Sequence, residues 1–227
     1  MSEEIEKKSK KSYYKTIDER LKDARLAIEG ALGSPEILEA LGEFGYDGAT
    51  IETGKQLLES ATDLVNQYKT KYGEKFEATA EIQDAVEVAN KAYMKALTVA
   101  RIAFKKEKKA DNVLGLSGSR EQSFSAWLPM VRGFYENLLG NSDWIKKMER
   151  FKFGKEKLEA DFALVKSVMD LEVKQTQKKG EAQASTKERD AKLDELNEWM
   201  SDFKDIAFMA LDEQPQLLEK LGYLVRG

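Results

Sequence analysis

The sequence predicts an all-α protein of two tandem, pseudo-twofold-related helical bundles, about four helices each and one of them short. Three observations carry that expectation. Apolar side chains recur at spacings of three and four along most of the chain. Only three prolines interrupt 227 residues, of which 34% are charged and 41% hydrophobic, a balance that suits long amphipathic helices better than many turns. Finally, the chain aligns with itself without gaps at a shift of 107 residues, and such a repeat fixes architecture.

At that shift Gly33 falls on Gly140, Gly73 on Gly180, and Leu114-Gly115 on Leu221-Gly222. Between these marks Leu21 meets Leu128, Arg25 meets Arg132, Phe44 meets Phe151 and Leu64 meets Leu171. Identities number only about twenty in about a hundred pairs, yet they fall on turn glycines and apolar stripes. The expected organisation is a flexible charged N-terminus over residues 1–13, a first repeat over 14–116, a short linker over 117–120 and a second repeat over 121–227.

The first helix is expected from about Tyr14 to Leu32, because Ile17, Leu21, Ala24, Ile28 and Ala31 share one face. Its counterpart carries Phe124, Leu128, Val131, Tyr135 and Leu138, with Pro129 expected to kink or delay it. A short second helix starts at Pro35 with Ser34 as N-cap. The equivalent stretch holds Trp144, Ile145 and Met148. A third helix is expected from about Ala49 to Tyr72, ended by Gly73, and its counterpart by Gly180. The fourth carries the alanine-rich stripe from Ile82 to Phe104 and, in the second copy, Leu193 to Leu211. Ser185 and Glu188 read as a capping box that starts the second of these. A short helix from Pro215 to Gly222, with a degenerate twin at Asp111 to Leu116, closes each copy.

Composition removes whole classes of chemistry. The chain has no cysteine and no histidine, so disulfides, thiolate sites, thiol nucleophiles and the usual neutral-pH base and metal ligand are absent. A net charge of -4 argues against nucleic acid or an anionic membrane as partner. The most apolar run, Ile206 to Leu211, is far too short to span a bilayer. Without a signal-peptide core near the N-terminus, a cytoplasmic location is expected. No phosphate loop or nucleophile elbow stands in the sequence, and no enzyme activity, metal or cofactor is expected. Asp63, Glu81, Asp170 and Glu188 recur in both copies, but the two glutamates are explained by capping at the start of the fourth helix.

Two groups of residues are candidates for more than packing. Arg25 with Asp63, and Arg132 with Asp170, recur beside apolar positions and are expected to pair as structural clamps between the first and third helices. Trp127, Trp144 and Trp199 occur in the second copy alone, and Phe203 stands where the first has Ala96; these aromatics are candidates for lining an apolar pocket. The function expected is a non-catalytic helical scaffold or protein-interaction module, self-associating as a homo-oligomer or binding a protein partner. The alternative is a carrier or sensor of a small apolar ligand, lipid or cofactor, held within a bundle.

Overall fold

The computed structural model describes residues 15–121 and 123–224, so the expected charged N-terminus lies outside the described residues. Among those residues every element is helical and none is a strand. In chain order they are α1 (Ile17–Leu32), α2 (Pro35–Gly42), α3 (Gly48–Ala103), α4 (Lys108–Leu114), α5 (Phe124–Leu139), α6 (Ser142–Glu149), α7 (Lys155–Ala210) and a terminal 3₁₀ helix (Pro215–Leu221). Each of the first four begins and ends 107 residues before its counterpart in the second four.

Local chemistry sets these starts. Thr16 caps α1: its hydroxyl accepts from the Glu19 N–H at 3.2 Å, and the Glu19 carboxylate accepts from the Thr16 N–H at 2.7 Å. Donation from the Thr16 N–H, and then from its hydroxyl, holds the Glu19 carboxyl below its ordinary range. Asp47 does the same for α3 by accepting from the Thr50 N–H at 2.9 Å, and Asn141 caps α6 by accepting from the Asp143 and Trp144 N–H groups. Pro129 lies inside α5 and on its exposed side, and it does not delay the helix, which starts at Phe124 as the shift requires.

The largest departure from expectation is at Gly73 and Gly180. Neither ends a helix; α3 and α7 are each continuous over 56 residues. A lone glycine costs a helix roughly 1 kcal/mol relative to alanine, and without a proline nearby that does not break it. Around Gly73 a quartet of charges joins the two helices instead. Lys71 contacts Glu181 at 3.0 Å and Glu74 at 3.3 Å, and Lys178 contacts Glu74 at 2.8 Å and Glu181 at 3.0 Å. Hydrogen bonds from Lys178 and Lys71 hold Glu74 below the usual carboxylate range, and those from Lys71 and Lys178 do so for Glu181. The expected capping box at Ser185 and Glu188 therefore does not exist: both stand mid-helix, with Ser185 buried. Glu81, likewise mid-helix, pairs with Lys174 at 2.5 Å.

The chain forms two compact units, and each takes halves of both long helices. Unit 1 comprises Met1–Lys69 with Ser185–Gly227, and unit 2 comprises Thr70–Ala184. These divisions differ from repeat boundaries at 116 and 121, because α3 and α7 each pass from one unit into the other. The core of unit 1 gathers Ala27, Ile28, Ile37, Leu41, Ala61 and Phe203 with their neighbours. That of unit 2 gathers Tyr93, Leu97, Phe104, Phe134, Tyr135 and Leu138 with theirs.

Candidate functional site

The expected arginine–aspartate clamps are not formed. Arg25 and Asp63 both line one groove of unit 1, of about 410 Å³, between α1 and α3. Both side chains are exposed, and among the described residues no ion pair joins them. Arg132 turns along its own helix instead and meets Glu136 at 2.7 Å, one turn away, where an exposed i,i+4 partner is cheaper to reach than one on another helix. Asp170 is exposed, and no ion pair joins it to Arg132. Among the described residues no three acidic side chains gather where a cation could sit.

The four aromatic candidates divide between the units. In unit 1 the Trp199 and Phe203 rings stack at 5.3 Å with planes 10° apart, and Tyr46 closes on both at 5.9 and 6.0 Å. Gly54 makes room for them: a Cβ there would overlap the Trp199 ring. In unit 2 Trp127 stacks on Phe124 and donates its indole N–H to Asn90 Oδ1 at 2.9 Å, while Trp144 tilts against Phe104. All four serve as core packing rather than as one shared lining.

An apolar crevice does exist, elsewhere. Ile82, Val86 and Phe124, with Gln83 and Gln175, enclose about 350 Å³ in unit 2. At the equivalent positions of unit 1 the space is filled, since Arg189 lies 4.0 Å over the Tyr68 ring where unit 2 has Ile82 and Gln175. Sequence reasoning placed Ile82 and Phe124 in core stripes and so passed over the gap that their smaller partners leave.

The second pair of equivalent surfaces lies where α2 meets the end of α7, and where α6 meets the end of α3. In unit 1 a cleft of about 450 Å³ is lined by Glu36, Glu39, Glu43 and Phe44 from one side and by Met209, Asp212 and Glu213 from the other. In unit 2 the positions of Glu39, Glu43, Asp212 and Glu213 are taken by Lys146, Arg150, Lys105 and Lys106. Lys147, at the place of Ala40, bonds to Glu107, and Phe104 packs on Trp144, which ties α6 to the turn after α3. Unit 2 carries 21 basic against 17 acidic side chains, and unit 1 carries 16 against 24. The mild net charge of the chain thus hides two units of opposite sign.

Comparison with protein-family models, with curated proteins and with solved structures gives no match for this chain. Within the described residues no helix is long and apolar enough to cross a membrane.

Proposed function

We propose that this chain is a non-catalytic helical scaffold, an internal duplication whose copies each present a contact face, and that it self-associates. One observation carries the reading. Exposed large apolar side chains stand at the same two positions of both copies: Phe44 (42% exposed) and Phe151 (41%), Ile102 (58%) and Met209 (49%). Scattered exposed apolar residues need no explanation, but the same two positions kept apolar at a shift of 107 do, because surface positions are otherwise free to become polar. Already half-buried, each would contribute about 1 kcal/mol when the rest of it is covered by another chain. A protein partner or a second copy suits such faces, and a cytoplasmic setting belongs to the same proposal. The test is light scattering coupled to size exclusion over a wide concentration range. A dimer or larger species is expected, weakened by Phe44→Ser with Phe151→Ser at unchanged melting temperature. A strict monomer throughout overturns the reading.

A second reading has its own support in the crevice of unit 2, which is the right size for part of an acyl chain or an aromatic ring. Native mass spectrometry of freshly purified protein would then show added mass, lost in Ile82→Arg, which restores the side chain that fills this place in unit 1. A clean mass and no thermal shift with lipids would remove it.

A further inference from the structure

We propose that the α2 cleft of unit 1 in one copy receives the α6 face of unit 2 from a second copy. This deepens the self-association proposed above by naming both of its surfaces.

The two faces occupy equivalent positions on equivalent elements, yet their charges are inverted at four of them, while the position of Glu36 stays acidic as Asp143. Glu39 stands against Lys146, Glu43 against Arg150, Asp212 against Lys105 and Glu213 against Lys106. All eight side chains are exposed. The acids of the cleft engage no ion pair among the described residues, and on the basic face only Lys146 has an exposed neighbour, Asp143 at 3.7 Å. The acids of the cleft therefore repel one another with no ion pair to offset them, and the basic face is relieved only by the contacts of Lys146 with Asp143 and of Lys147 with Glu107. The exposed apolar side chains Phe44 and Met209 line the cleft among these charges, and exposed Phe151 and Ile102 occupy the matching positions of the other face. An apolar centre inside a charged rim is the anatomy of a protein contact, with the centre supplying affinity and the rim specificity.

The signs also decide which faces can meet. A face brought against its own copy would set four acids on four acids, or four bases on four bases, so the symmetric contact is disfavoured. Acid on base relieves both, and it joins different surfaces of the two copies. A contact of that kind leaves a free face on each partner, so it adds further copies until geometry closes it. Screening reaches about 10 Å at 0.1 M salt, so the rim of such an interface is sensitive to ionic strength while its apolar centre is not.

Sedimentation velocity on the full chain tests this. The wild type is expected to associate in about 50 mM salt and to dissociate at least several-fold more readily in about 500 mM, as screening dictates. Reversing Glu39, Glu43, Asp212 and Glu213 to Lys together gives a chain with two basic faces, and reversing Lys105, Lys106, Lys146 and Arg150 to Glu together gives one with two acidic faces. Each variant alone should sediment as a monomer, and an equimolar mixture should associate again. Recovery on mixing also shows that both variants fold. Association that ignores salt and both reversals, or a mixture that stays monomeric, overturns the proposal. If assembly survives the reversals but falls with Phe44→Ser and Phe151→Ser, self-association stands and this surface assignment fails. A wild type that is monomeric in every salt overturns both.

Discussion

Unit 1 and unit 2 solve one packing problem with different materials. Where unit 1 sets Trp199 on Gly54, unit 2 sets Ala92 and Asp161 at the matching positions. Where unit 1 buries Phe203 and Ile28, unit 2 buries Ala96 and Tyr135. Gly30 of α1 approaches the Lys220 carbonyl so closely that a Cβ would overlap it, and at the matching place Asn137 donates to the Val113 carbonyl at 3.3 Å. At Trp199 and Gly54 a large ring meets bare backbone, and the matching pair reverses that order of size; at Gly30 and Asn137 the same backbone carbonyl is approached closely in one unit and hydrogen-bonded in the other. Backbone positions can therefore be held while side chains trade volume, provided that the trade is local.

The comparison can be broken most easily at the aromatic stack. Phe203→Ala removes a fully buried ring, and a loss of about 3–5 kcal/mol is expected in chemical denaturation. A loss under about 1 kcal/mol would mean that the stack does not hold unit 1 together. Gly54→Ala should cost about 1–3 kcal/mol by forcing Trp199 out of place, and the cost should largely vanish in a Trp199→Ala background, because the two positions share one contact. Simple additivity of the two would refute the size trade.

Smaller effects separate the units by their buried hydroxyls. Tyr223 of unit 1 stands where unit 2 has Leu116, and burial, with the charge of Asp23, pushes its hydroxyl up to about 12. Its folded value exceeds the unfolded one, so its contribution to stability is complete below about pH 10 and is lost as the pH climbs toward 12. A decline of about 1–2 kcal/mol across that window is expected after screening, and Tyr223→Phe should flatten it. Tyr135 of unit 2 is shifted in the same direction, by burial and then by Asp161 and Tyr93. Its hydroxyl and one oxygen of Asp161 are buried without a hydrogen-bond partner. Tyr135→Phe should accordingly raise stability by up to about 1 kcal/mol; a clear loss would show that the hydroxyl works with Asp161.

How much of this was legible depended on what each signal measures. The stripes through Ala24, Ile28 and Ala31, and through Tyr93, Ala96 and Ala100, are buried as their spacing requires, since periodicity reports directly on the face that leaves water. The breaks at Gly73 and Gly180 were misread because a glycine marks a helix end only where the chain also needs a left-handed turn. Gly115 and Gly222, with φ of 57° and 80°, are such places, and Gly73 is not. Ser185 with Glu188 failed for a related reason, since serine three residues before glutamate is as compatible with a helix interior as with its start. The clamps failed because repetition of a charge does not say which partner is nearest. The charge inversion between α2 and α6, on which the proposed contact rests, is visible at the shift of 107 once charges rather than apolar matches are compared.

The passage of α3 and α7 through both units bears on any attempt to divide the protein. A cut in the Gly115–Arg120 joint, which looks like the seam between copies, leaves neither piece with a whole core: the first would hold the opening parts of both units and the second the closing parts of both. Separately made, such fragments have their greasy stripes bare, and only mixing restores the missing walls. Topology has thus made the two pieces mutual chaperones, so that truncation at the obvious seam is the wrong way to obtain a smaller working protein.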